Sequence, residues 1–133
     1  MLRYMLDTNT VIYVLKNRPE KARLAFNAHH GQMCISTVTL MELMYGASVS
    51  GDPDRNTREV ESFTARLDVL PYDEAAAVHT GEIRADLKKS GKKDASYDSI
   101  IAGHARSRGL VVVTNNEKDF KRFDGVRAVN WLI

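Results

Sequence analysis

The chain has 133 residues, 44% of them apolar and 27% charged, a composition that fits one folded domain over residues 1–133 and excludes a disordered polypeptide. Its single cysteine, Cys34 in Met33-Cys34-Ile35, excludes an internal disulfide or a CxxC zinc site and reads as a buried, inert thiol. No run approaches the roughly 20 apolar residues of a membrane span. The first residues show no basic-then-apolar leader pattern, so a soluble cytoplasmic protein is the expectation, and a net charge of +2 names no partner by itself.

Residues 2–6 read as a strand and 9–17 as a short helix, and Pro19 suits the first turn of a helix running to about His29. Residues 32–35 read as a second strand, followed by the capping residues Ser36 and Thr37 and a helix through about Ser48. Gly51-Asp52-Pro53-Asp54 marks a loop. Val60, Phe63 and Leu67 fall at helical spacing, as do Ala76, His79, Ile83 and Leu87, so two amphipathic helices flank the short segment Val69-Leu70-Pro71. The second of them ends at Ser90-Gly91-Lys92-Lys93.

A further helix runs from about Tyr97 to Ser107 and stops at Arg108-Gly109. Residues 110–113 form a β-branched run typical of a buried parallel strand, and 128–131 a last edge strand. Strands separated by helices predict right-handed crossovers and an α/β fold, a three-layer α/β/α sandwich around a central parallel sheet. Ligands of such sheets bind beyond the carboxyl ends of the strands.

Four acids stand where apolar elements end or turn inward: Asp7, Glu42, Asp98 and Asp119. Each has an ordinary reading. Asp7 suits a helix cap, Asp98 complements a helix dipole, and Asp119 sits comfortably in a surface turn or short helix. Glu42 is harder to dismiss, because apolar residues surround most of its helix, and an unpaired buried carboxylate requires a cation or basic partner. Two carboxylates about 4 Å apart repel by roughly 4 kcal/mol at an effective dielectric of 20, and a divalent cation between them reverses the sign. An oxygen-only ligand set suits Mg2+ or Mn2+ and points to phosphodiester hydrolysis by an activated water.

The segments Met5-Leu6-Asp7-Thr8-Asn9, Ser36 to Leu43, Tyr97 to Ala105 and Val113 to Phe120 together resemble the four motifs of PIN-domain ribonucleases of the VapC toxin type, in order and spacing over nearly the whole chain. The resemblance implies a Mg2+-dependent endoribonuclease that cuts structured RNA, commonly transfer RNA. It also implies a cognate antitoxin protein and a homodimer. Carried over by position, Asp7 and Asp98 are the principal metal ligands. Glu42 completes the acidic cluster or orients a water, Asp119 is the outer acid, and Thr8, Asn9, Thr114 and Asn116 support them. The stretch Lys93 to Tyr97 departs from the family pattern, in which Gly or Pro is common before the third motif.

Basic residues crowd two stretches, Arg84, Lys88, Lys89, Lys92 and Lys93 in one and Arg106, Arg108, Lys118, Lys121 and Arg122 in the other. Solvated faces are the ordinary reading of such runs. RNA-gripping rims, with Lys88, Lys89, Lys92 and Lys93 as the candidate contacts, are the functional one. His79 and His104 read as core histidines, His29-His30 as a cap or surface pair, and Trp131 as an anchor for the last strand. Phe63 and Leu67 belong either to the core or to a groove for an antitoxin helix. Two alternatives to the nuclease are an aspartate-nucleophile phosphatase using Asp7, although Asn9 stands where its second acid would be, and a catalytically silent interaction module.

Overall fold

The computed structural model describes residues 1–16, 19–92 and 96–132, with Ser96 described by its backbone alone. Five parallel strands, β1 (Tyr4–Leu6), β2 (Met33–Ser36), β3 (Asp68–Leu70), β4 (Val111–Val113) and β5 (Ala128–Val129), form one sheet in the order β3-β2-β1-β4-β5. The strands are short, yet Met5, Leu6, Cys34, Ile35, Val112 and Val113 are each fully buried.

Alternation along each strand divides the core in two. Leu6, Met33, Ile35 and Val113 join the cluster built from α1 (Thr8–Leu15), α2 (Glu20–Ala28), α3 (Thr37–Ser48) and α4 (Pro53–Thr64). Met5, Cys34 and Val112 join the cluster built from α5 (Glu74–Lys89), α6 (Ser96–Ser107) and α7 (Glu117–Lys121). Successive side chains of a strand point to opposite faces, so a sheet buried on both faces places a helical layer on each. This is the three-layer sandwich expected from the sequence.

From β1 the chain winds outward to β2 and β3 over one face, then returns to place β4 on the other side of β1. Strand order therefore reverses between β1 and β4, where the carboxyl ends of neighbouring strands part and leave a crevice. Asp7 follows β1 at this crevice and Thr114 follows β4. Because α6 precedes β4, its amino-terminal end, carrying Asp98, lies at the same edge of the sheet.

Three local expectations change. Pro53 opens α4 rather than closing a loop, because Asp52 caps the helix by accepting from Arg55 N at 3.3 Å and Pro loses nothing at a helix's first position. Segment 68–70 is an edge strand paired with β2, its three residues too few to announce themselves in sequence. Phe63 is core, stacked on Phe26 at 5.1 Å, which removes it from any groove, whereas Leu67 packs partly buried against the same cluster.

Helix α6 ends in a glycine cap as expected. Gly109 adopts φ +67°, the left-handed region, which lets Leu110 N donate to Ala105 O at 2.9 Å. Trp131 anchors the chain end by stacking on His29 at 4.6 Å and meeting Tyr4 edge-on. Cys34 is buried, and burial pushes its thiol up to about 12, so it is inert at neutral pH. His104 is fully buried against the Tyr72 ring, neither ring nitrogen has a hydrogen-bond partner among the described residues, and burial lowers its pKa, so it sits in the core as neutral imidazole. His79 is instead half-buried and accepts from Arg106 Nε at 2.9 Å.

Candidate active site

Asp7 is the N-cap of α1, its carboxylate accepting from Thr10 N at 2.9 Å. Capping therefore holds for Asp7 itself, and it is what aims the carboxylate. The same residue is only 6% exposed, and its backbone N donates to Val113 O at 3.0 Å, locking it to β4. Thr10, buried and not singled out in the sequence, also donates its hydroxyl to Val113 O at 3.1 Å. Its position three residues after an acid at a strand exit is the signal that would have found it. Burial pushes the Asp7 carboxyl above its ordinary pKa, against the opposing hydrogen bonds of Thr114 and Thr10.

Asp98 stands in the first turn of α6, and its inward neighbours Ile101, Ala102 and Ala105 are buried as their spacing predicts. Its pKa is raised from an ordinary 3.8 to about 6, first by burial and then by the charges of Asp7, Asp119 and Glu42, with Arg122 pulling the other way. The acids drawn from four separate segments thus share one electrostatic neighbourhood. Asp7, Thr8, Asn9, Glu42, Tyr97, Asp98 and Ile101 line a cleft of about 110 Å3.

Glu42 departs from the expectation of deep burial. It is half-buried on the second turn of α3, and its partner is a hydroxyl, with Thr8 Oγ1 donating to its Oε1 at 2.6 Å. The apolar residues around that helix are split between core, as Leu43 and Ala47 are, and solvent, where Met41, Tyr45 and Val49 stand. Asp119 is the outermost acid, on α7 and outside the cleft lining. Asn116 Nδ2 donates to its Oδ2 at 2.5 Å, and Arg122 lies 3.9 Å from its Oδ1.

The supporting residues divide in the same way. Thr114 is buried, hydrogen-bonded to the Asp7 side chain, and its Oγ1 accepts from Asn116 N at 2.9 Å. Asn9 is exposed at the rim of the cleft. Among the basic residues, Lys88 and Lys89 occupy the last turn of α5 and are exposed, as is Lys92, whereas Lys93 lies outside the described residues, as does Asp94. The last turns of α5 lie alongside the start of α6, where Arg84 Nε donates to Ser99 Oγ at 3.0 Å, so these lysines flank the Asp98 end of the molecule. The second basic stretch is divided, with Arg122 beside the acids and Arg106 engaged on the far side of α6. Arg106 binds His79, Glu82 and the Asp124 carbonyl, and Arg122 binds the Asp119 carbonyl and packs on Phe123.

Oxygen donors held by backbone caps and hydroxyls fit a hard divalent cation. Among the described residues no three Asp, Glu, His or Cys side chains form a ready-made cage, so such an ion would take few carboxylates and keep several waters, the usual habit of Mg2+. Larger hollows lie elsewhere. One of about 440 Å3 is lined by Arg55, Arg58 and Arg66, and an apolar groove of about 350 Å3 runs between α1, α3 and α4 past Glu42. Among the described residues no helix is long and apolar enough to cross a membrane.

The PIN domain family model matches residues 4–126. The chain is 54% identical to the tRNA(fMet)-specific endonuclease VapC of Shigella flexneri over 131 residues, covering 98% of this chain and 99% of the relative. It is 56% identical to the protein of the same name from Salmonella typhimurium, again over 98% of this chain and 99% of the relative. The crystal structure of DNA-bound VapBC from Salmonella typhimurium superposes with a TM-score of 0.94 at 56% identity, covering 98% and 99% of the two chains. A chain that matches the family model over most of its length and these relatives from end to end belongs to the PIN-domain family and, within it, to the VapC ribonucleases, the toxins of toxin–antitoxin systems.

Proposed function

We propose that this VapC ribonuclease is a Mg2+-dependent endoribonuclease that acts in the cytoplasm on structured RNA, with initiator transfer RNA, the substrate in the names of its relatives, as the first candidate. The observation that carries the reading is the single cleft lined by Asp7, Glu42 and Asp98, in which burial and the neighbouring carboxylates together hold the Asp98 carboxyl above its ordinary pKa. A fold keeps several acids together against their repulsion where a cation or phosphate-bound metal compensates them. Asp7 and Asp98 are the proposed metal ligands. Their carboxylates would hold the cation, which would supply Lewis-acid polarisation of the scissile phosphate and of an attacking water.

The chain's own residues do the remaining work. The Thr10 N–H and the Thr114 hydroxyl fix the Asp7 carboxylate in one orientation. Thr8 holds one oxygen of Glu42, which leaves the other to orient a water or accept its proton. Asp119, tethered by Asn116 and Arg122, tunes the field from outside. No side-chain nucleophile is needed, and the phosphatase alternative lacks its second acid because Asn9 is an exposed amide. The comparisons with ribonucleases favour the nuclease over the silent module.

Thr8→Val removes the hydroxyl while keeping side-chain volume. It is expected to lower kcat about tenfold, the worth of one hydrogen bond to a charged group, with KM for RNA unchanged. Steady-state cleavage of a transfer RNA transcript checks this, and a wild-type kcat would mean that Glu42 needs no such tether.

Lys88, Lys89 and Lys92 are proposed to contact RNA phosphates beside Asp98. Their joint replacement by alanine should weaken binding and lower the slope of log affinity against log salt by about 2. A filter-binding salt titration with an unchanged slope would return these lysines to solvation and to balancing the α5 dipole. The antitoxin, a partner of the VapBC relatives, is proposed to seat an amphipathic helix in the apolar groove between α1, α3 and α4. A homodimer is proposed as the working assembly.

A further inference from the structure

Helix α3 presents Met41, Tyr45 and Val49 one turn apart, exposed to 48%, 67% and 65%, and Tyr97, the residue before Asp98, is 48% exposed. Such large apolar groups on one face mark a contact site. Three of them, Met41, Tyr45 and Tyr97, line a cleft of about 390 Å3 whose remaining lining residues are Thr8 and Glu42. Thr8, Glu42 and Tyr97 also line the acidic cleft with Asp7 and Asp98. The two clefts therefore share a wall, so a ligand longer than a single phosphate group at the carboxylates is within reach of the aromatic one.

We propose that Tyr97 and Tyr45 receive an unstacked base of the RNA, the one attached next to the phosphodiester held at Asp7 and Asp98. The inference rests on the ribonuclease reading and deepens it. Carboxylates and a cation see phosphates that are alike at every position of an RNA, so the choice of bond has to come from groups beside them. Loops of structured RNA offer splayed bases, every base has a flat π face, and exposed aromatic rings are the usual platform for them. Met41 adds a polarisable thioether that adapts to the edge of a base.

The test uses full-length protein, a transfer RNA transcript and a matched RNA with an abasic nucleotide beside the cleaved bond. Tyr97→Ala and Tyr45→Ala are each expected to lower kcat/KM on intact RNA by tenfold or more, mainly through KM, while the Phe variants keep activity because the ring is retained. Wild-type protein should lose a similar factor on the abasic RNA, and the Ala variants should lose little more on it than they already have. That non-additivity is a signature a merely structural role would not produce, and equal melting temperatures of all variants exclude misfolding.

Full activity of both Ala variants, or an undiminished abasic penalty in them, would overturn the stacking proposal while leaving the nuclease intact. Conversion of a dimer to a monomer by Tyr45→Ala, with activity loss indifferent to the abasic site, would assign the patch to a second copy and overturn it too. Absence of RNA cleavage by wild-type protein with any divalent ion would fell the ribonuclease reading and this inference together.

Discussion

Asp98→Asn is expected to abolish metal-dependent RNA cleavage and, in metal-free protein, to raise the melting temperature. The two effects have one cause. Asp98 carries a pKa near 6 because burial and the charges of Asp7, Asp119 and Glu42 oppose its ionisation. A carboxyl whose folded pKa lies above its unfolded value stabilises the fold fully below the unfolded value, and that contribution is lost as pH rises through the folded one. Metal-free wild-type protein should therefore lose stability from about pH 4 to above pH 6, and the asparagine variant should lose less, keeping only the share that the raised Asp7 carboxyl contributes.

Complete linkage would be worth about 3 kcal/mol. Solvent screening at a half-buried group reduces the expected gain at pH 8 to about 1–2 kcal/mol. Addition of Mg2+ should narrow the difference by stabilising only the wild type. Thermal melts of both proteins across pH 4 to 8, with and without Mg2+, check the sign, and cleavage assays check the activity. A variant that still cleaves RNA, or one less stable than wild type at pH 8 without metal, would remove Asp98 from the proposed site. Asp7→Asn should also abolish cleavage. Its stability gain is smaller, because the Thr10 and Thr114 hydrogen bonds that favour the charged form are weakened with it.

The second large effect lies away from the acids. Gly103 of α6 is buried against α5, and a Cβ added there would overlap Thr80 Oγ1 and stand 2.6 Å from Thr80 N and 2.7 Å from its Cα. Backbone cannot swing aside as a side-chain tip does, so Gly103→Ala must push the two helices apart. The expected cost is about 3 kcal/mol, the upper range for overpacking, or roughly 10 °C in melting temperature. Gly81→Ala on the facing helix meets nothing within 4 Å and should change stability in the opposite direction, by up to about 1 kcal/mol, through helix propensity alone. Calorimetry of the pair separates close packing from propensity, and an unaltered melt for Gly103→Ala would contradict the packing. Because α6 carries Asp98, the Gly103 variant should also lose activity near physiological temperature.

Much of this architecture can be read from the chain because its strands are bounded apolar runs and its helices carry explicit caps. Val111–Val113 and Tyr4–Leu6 stand out by burial-prone composition, and Asp7, Ser36 and Gly109 mark the ends that their chemistry dictates. Asp68–Leu70 is hidden because three residues cannot establish a period of two. The acids are legible for a related reason: a carboxylate at a strand exit conflicts with its surroundings unless something compensates it. Which face of α3 meets solvent is not legible, since Met41 and Tyr45 have the same apolar character as Leu43 and Ala47. The aromatic cleft therefore emerges only from packing, as does the Thr8–Glu42 tether between residues 34 positions apart.

The proposed site draws on the end of β1, the second turn of α3, the first turn of α6 and the short helix α7, so its acids range from residue 7 to residue 119. A chain emerging from the ribosome folds from its amino terminus onward. Such a chain carries Asp7 and Glu42 early, yet it cannot bring the four charges together until α7 has been synthesised and docked. A site divided along the chain in this way is assembled late: truncation anywhere before α7 removes Asp119 and leaves the electrostatic neighbourhood of Asp98 incomplete.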